Sequence, residues 1–187
     1  MRNNKFAILI ILNVVVYFAT TMYSTRMDSN VYDMFGIQRD LVLSYHEYYR
    51  ILTAPFTHGD IFHLAVNMIA LNALIYPVIT FTSEKFSLII YGVAALVSGI
   101  TVILFGTAFT VGSSGAVYGL FGVLIYFGIK EYLHGYHDLI KSLGPVIVMN
   151  LIISFMPGVS LEGHLGGLVA GLIASFIYDK YVNRRYF

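Results

Sequence analysis

Apolar residues along the chain gather into runs that approach the ~20 residues needed to cross a bilayer. They fall at Phe6–Met22, Phe62–Thr80, Phe86–Phe105, Ala116–Ile129, Leu139–Phe155 and Leu165–Tyr178. Six runs joined by polar connections predict an all-α membrane protein, a six-helix bundle forming a single transmembrane domain over residues 1–187 with no separate soluble domain. The first run follows Arg2 and Lys5 as a secretory leader would, but no small-residue cleavage site comes after it, so it is read as a retained helix. The longest connection, Tyr23 to Ile61, sets Tyr32, Phe35, Tyr45, Tyr48, Tyr49 and Phe56 among charged residues. Within it Val31, Met34 and Phe35 repeat at i, i+3 and i+4, the pattern of short helices lying in the interface with aromatic rings at headgroup depth. A partly membrane-embedded first loop is therefore expected.

Composition sharpens this picture. The 187 residues are 58% hydrophobic and 11% charged, with a mean hydropathy of +0.76, well above the ~45–50% apolar share of soluble domains. A formal net charge of +1 without a long basic run gives no footprint for nucleic acid. The absence of cysteine excludes disulfides, thiolate metal sites and thiol nucleophiles. With six spans, Arg2, Lys5, Lys85, Lys130, Lys141, Lys180, Arg184 and Arg185 share one side and Arg26, Arg39 and Arg50 the other, eight against three. The positive-inside rule then puts both termini in the cytoplasm.

Against this apolar background, Gly112-Ser113-Ser114-Gly115 opens the fourth run with hydroxyls between glycines. A serine hydroxyl becomes a nucleophile when a base takes its proton, and a neighbouring glycine lets backbone N–H groups turn toward an oxyanion. The 16 residues from Ser114 to Ile129 rise ~24 Å as a helix, against a ~30 Å hydrocarbon core. With Lys130 at the cytoplasmic surface, Ser114 is expected below the outer one, facing a water-filled recess. At similar depth the second run carries His63 and Asn67, four apart, and the sixth carries His164. Imidazole and amide N–H groups suit an oxyanion, and they equally suit hydrogen bonds between helices. His58, just before the second run, reads as a surface or structural histidine.

Small residues explain how these groups could meet. Gly115 and Gly119 are four apart in the fourth run, while Gly163, Gly167, Gly171 and Ser175 repeat at that spacing in the sixth. Such faces let helix backbones approach closely, and His164 lies on the same face as Gly167 and Gly171. Tyr118 sits one turn below Ser114 and can stack on an imidazole. This favours Ser114 over Ser113, whose side chain points about 100° away on an ideal helix.

Taken together, Tyr49-Arg50 through Thr57-His58, His63-x-x-x-Asn67, Gly112-Ser113-Ser114-Gly115 with Tyr118, and His164 followed by Gly167-x-x-x-Gly171 resemble the rhomboid family of intramembrane serine proteases over nearly the whole chain. The resemblance implies a six-helix core and a serine–histidine dyad without an acidic third member. It implies Ser114 as nucleophile and His164 as general base, then acid. His63, Asn67 and the Ser114 N–H would form the oxyanion hole, and Tyr118 would pack on His164. Gly112 and Gly115 would support the serine, and Gly119, Gly163, Gly167 and Gly171 the helix packing. Substrates would be transmembrane segments of other proteins, cut near the outer face of the bilayer, with no metal and no cofactor. The chain departs from the family at Tyr49, where tryptophan is usual, across Leu74-Ile75-Tyr76-Pro77-Val78, where a glycine is usual, and at Gly163, where alanine is common.

Two other classes share these residues. A silent rhomboid-like protein would bind transmembrane helices without cutting them. A small transporter would use His63, Asn67 and His164 as a polar pathway, although every Asp and Glu falls in a loop or at the end of a run. A zinc site on His63 and His164 would lack a carboxylate or thiolate partner. Oligomeric state has no signature here, because glycine faces used within and between monomers look alike.

Overall fold

The computed structural model describes residues 5–182 except 28, 29, 107, 137 and 157. Arg2, Arg184 and Arg185, used in the charge count, and Thr107 lie outside the described residues. The chain forms α1 (Lys5–Met27), α2 (Arg39–Ser44), α3 (Tyr49–Thr53), α4 (Ile61–Phe81), α5 (Glu84–Phe105), α6 (Ser114–Leu133), α7 (Asp138–Ile153) and α8 (Leu161–Tyr181), with 3-10 turns at Val31–Met34 and Ala54–Phe56. No strand occurs among the described residues, and five helices, α1, α4, α5, α6 and α8, are long and apolar enough to cross a membrane. The fifth apolar run is the exception. Its helix α7 has 16 residues, a rise of ~24 Å, shorter than the other five, although it carries the chain back from the end of α6 to the start of α8.

Glycines set the centre of the bundle. A Cβ at Gly167 would run into the Gly115 backbone carbonyl, and one at Gly171 into that of Gly119. Both contacts advance together along the two helices, so α6 and α8 run parallel at backbone contact, and α7 returns the chain between them. Helix α5 runs against both, since Ser98 meets Gly115 and Gly163 while Ala94, one turn earlier, meets Gly119. Helix α4 lines up with α6, its Phe81 stacked on Phe127 at 5.2 Å. At the other side, Phe6 of α1 meets Tyr91 of α5 edge-on, and the Lys5 N–H donates to Glu84 Oε1 at 2.8 Å. The close helices bury Leu71, Val78, Ile90, Leu120 and Leu124 in one apolar core.

The first connection folds back over the start of α6. Arg50 is buried, and its guanidinium ties the loop by donating to Glu47 at 2.5 Å and to the carbonyls of Asp33 at 2.7 Å and Gly36 at 2.8 Å. Ile37 and Thr110 exchange backbone hydrogen bonds of 2.8 and 2.9 Å, and the Gly112 N–H donates to the Ala54 carbonyl at 2.9 Å. The loop thus fixes the approach to Ser113 and Ser114 from the side opposite the bundle. The Val31, Met34 and Phe35 spacing falls on the 3-10 turn Val31–Met34, the short helices α2 and α3 follow it along the loop, and Tyr45 and Tyr48 are exposed.

Candidate active site

Helix starts decide where reactive groups are available. Asp60 caps α4 by accepting from the His63 N–H at 2.8 Å. Ser83 caps α5 and Ser160 caps α8, accepting from Phe86 and Gly163 at 3.2 Å each. By contrast, Ser113 makes no side-chain cap on α6. The first-turn N–H groups of that helix, beginning with Ser114, have no intrahelical acceptor and carry the positive end of the helix dipole. Gly112 turns the chain into this start with φ +107°, a backbone conformation that an L side chain rarely adopts. A Cβ at Gly112 would also meet the His63 ring at 2.6 Å, so the imidazole lies against the turn that leads into Ser114.

Ser114 and His164 meet between the parallel helices. The Ser114 Oγ lies 2.9 Å from His164 Nε2, a hydrogen-bond distance at which a proton can pass. Ser114 is half-buried and His164 is buried. Beneath them the Tyr118 ring stacks on His164, with centroids 4.0 Å apart and planes 12° from parallel. This holds the imidazole plane from one face. A cavity of about 20 Å³ borders Ser98, Thr110, Gly112 and Gly115, room for about one water.

The other expected groups are placed differently. His63 is half-buried, and its ring is edge-on to His58 at 5.1 Å. Asn67 is buried, and its Nδ2 donates to the His63 carbonyl at 3.0 Å, which leaves the second amide hydrogen for another acceptor. Neither residue hydrogen-bonds directly to Ser114. Gly163, Gly167, Gly171, Gly115 and Gly119 all lie at close helix contacts.

Sequence reasoning passed over two polar residues here. Ser154, the first residue after α7, is buried with its Oγ 2.8 Å from His164 Nδ1, and Asn150 supplies a carbonyl to the Tyr118 hydroxyl at 2.5 Å. The signal was present, since Asn150 and Ser154 are four apart in an apolar run, the same spacing that singles out His63 and Asn67. Among the described residues, no group of three His, Asp or Glu side chains is arranged to hold a metal.

His58, outside the spans, is buried rather than at the surface, and its ring nitrogens make no well-formed hydrogen bond. Burial pushes its pKa down to about 4, with the neighbouring His63 acting the same way and the Phe56 backbone and Asp60 opposing weakly. The unfolded chain takes up this proton near pH ~6.5, so unfolding becomes easier as the pH falls from there toward 4. The contribution is about 3 kcal/mol over that window. Denaturation in detergent micelles between pH 7 and 4.5 should show this loss, and His58→Gln should flatten the slope. An unchanged slope in His58→Gln would assign the effect to other groups.

The helices and this hydroxyl–imidazole pair define a multi-pass helical membrane protein with the chemical elements of a serine hydrolase. The family model for the Rhomboid domain matches residues 45–181, and the chain belongs to the rhomboid family. It is similar to Rhomboid protease GluP of Bacillus subtilis, 26% identical over 89% of this chain and 33% of that protein. RHOMBOID-like protein 1 of Arabidopsis thaliana is 28% identical over 78% of this chain and 38% of that protein. Inactive RHOMBOID-like protein 8 of the same plant is 28% identical over 76% and 41% respectively. The chain thus spans between a third and a half of the length of these relatives, and the family contains both proteases and inactive members.

Proposed function

We propose that this protein is an intramembrane serine endopeptidase that cuts peptide bonds in or near transmembrane helices of other membrane proteins. The observation that carries the reading is the 2.9 Å contact between Ser114 Oγ and His164 Nε2, with the imidazole held flat on Tyr118. In the first half-reaction the Ser114 proton passes to His164 Nε2 while Oγ bonds to the scissile carbonyl carbon. The carbonyl oxygen becomes an oxyanion beside the Ser114 N–H at the positive end of α6, with the His63 imidazole and the remaining Asn67 amide hydrogen as further donors. When the C–N bond breaks, His164 returns the proton to the leaving amine. A water then gives its proton to His164 and its oxygen to the acyl carbon, and collapse releases the new carboxyl end and restores Ser114.

The same reading puts the site toward the outer side of the membrane. Lys5, Lys85, Lys130, Lys141 and Lys180 gather at the helix ends away from Ser114, which supports cytoplasmic termini. Exposed Tyr45 and Tyr48 suit a first loop at headgroup depth. A substrate helix has to unwind there, because a helical peptide bond is shielded by its own turns.

A fluorophosphonate probe tests the nucleophile without a known substrate. Purified wild type and Ser113→Ala are expected to be labelled, and Ser114→Ala is expected to lose labelling. Folded wild-type protein that takes up no label would overturn the protease reading and favour helix binding without turnover.

A further inference from the structure

Three oxygens stand behind His164, on the side away from Ser114. Ser154 Oγ is 2.6 Å from the Tyr118 hydroxyl and 3.0 Å from the Asn150 carbonyl, and that carbonyl is 2.5 Å from the Tyr118 hydroxyl. The triangle closes on His164 through Ser154, whose Oγ is 2.8 Å from Nδ1. The Asn150 carbonyl brings no proton, so only two protons, those of Ser154 and Tyr118, are available to bridge three oxygen–oxygen contacts.

Where those protons go decides what His164 can do. With both kept inside the triangle, two contacts are hydrogen bonds and the Ser154 Oγ offers a lone pair to His164. Nδ1 then carries the hydrogen and donates it, and Nε2 is left as the acceptor facing Ser114. Were Ser154 instead to donate to Nδ1, a single proton would remain in the triangle. Two oxygen pairs at 2.5–3.0 Å would then face each other with no hydrogen between them in a buried site, a costly arrangement. Nε2 would also carry a hydrogen pointing at Ser114 and could not accept its proton.

We propose that Ser154 is the positioning residue of His164: its hydroxyl, committed to the Asn150–Tyr118 pair, accepts the Nδ1 hydrogen and fixes the tautomer in which Nε2 is a base. The inference rests on the reading of His164 as general base. A neutral hydroxyl here takes the orienting place that a carboxylate holds in a soluble serine protease, without burying a charge at membrane depth. Ser154 reaches the site from the end of α7, whereas Ser114 and Tyr118 belong to α6 and His164 to α8. The imidazole is thus fixed by stacking from one helix and by hydrogen bonding from another.

Two measurements on the purified 187-residue chain test this. In the first, kcat and KM are measured for cleavage of a transmembrane-segment substrate. Ser154→Ala is expected to lower kcat about 10–100-fold with KM unchanged, the scale that removing the hydrogen-bond partner of a metal-ligating histidine produces, taken here by analogy. Ser154→Thr, which keeps the hydroxyl, is expected to recover most of it. The second reads the tautomer by 15N NMR of histidine-labelled protein at a pH where His164 is neutral. Wild type should show Nδ1 protonated, and Ser154→Ala should move population toward protonated Nε2. A wild-type kcat with an unmoved tautomer in Ser154→Ala would overturn the proposal, as would Ser154→Thr no better than Ser154→Ala. If the protein cleaves nothing and takes up no fluorophosphonate, yet Ser154→Ala shifts the tautomer, the protease reading fails while the Ser154–His164 coupling stands.

Discussion

His164→Ala is expected to reduce cleavage of a membrane-embedded substrate by about 10⁴-fold or more while the protein still folds. The size follows from what the imidazole does in both half-reactions. It takes the Ser114 proton, gives it to the leaving amine and repeats the cycle with water, so no partial function is left when it is removed. In soluble serine proteases the loss of any member of the nucleophile–base unit leaves only what the oxyanion donors and substrate binding supply. Folding should survive because α8 is capped by Ser160 and held to α6 through glycines, neither of which involves the imidazole. Activity above a tenth of wild type in a folded His164→Ala protein would remove His164 from the mechanism. It would also turn attention to His63, the other imidazole beside the Ser114 turn.

The helical bundle was legible in the sequence because lipid leaves little freedom: a long apolar run has to satisfy its own backbone, and a helix does so. The bounds of α4, α5, α6 and α8 enclose the apolar runs read for them, with polar caps such as Asp60 and Ser160 just outside. Helix α7 differs because an apolar run reports only which residues prefer lipid or protein, and Ser154 and Phe155 carry that run beyond the end of the helix. The neighbourhood of Ser114 and His164 was accessible for a related reason. A hydroxyl, an imidazole and glycines at four-residue spacing are rare in apolar runs, and each marks a helix face. Ser154 was passed over because its pairing with His164 depends on how α7 packs against α6 and α8, which no spacing along the chain encodes. The role of Arg50 as the clasp of the first loop was hidden in the same way, since its acceptors at Asp33 and Gly36 are exposed only by the fold of that loop.

Gly171→Ala is expected to destabilise the protein strongly, on a par with Gly167→Ala, whose Cβ would meet the Gly115 carbonyl in the same way. The added Cβ would sit on the Gly119 carbonyl carbon and oxygen, backbone atoms that cannot rotate away as a side chain can. The only relief is to move α6 from α8, and those helices hold Ser114 and His164 at hydrogen-bond distance two turns above. Overpacking usually costs ~1–3 kcal/mol, and a backbone-on-backbone clash belongs at or beyond the upper end. Gly92→Ala in α5 is the matched control, because a Cβ there has nothing within 4 Å. On helix propensity alone that substitution should be neutral or stabilising by up to about 1 kcal/mol. Thermal unfolding in the same detergent separates the two, with Gly171→Ala melting well below wild type and Gly92→Ala at or above it. Fluorophosphonate labelling of Gly171→Ala at temperatures where it is still folded should also be slowed, because the strain acts on the separation of the two helices. A Gly171→Ala protein that melts and labels like wild type would mean that α6 and α8 have slack at this contact, and the close approach of Ser114 and His164 would need another cause.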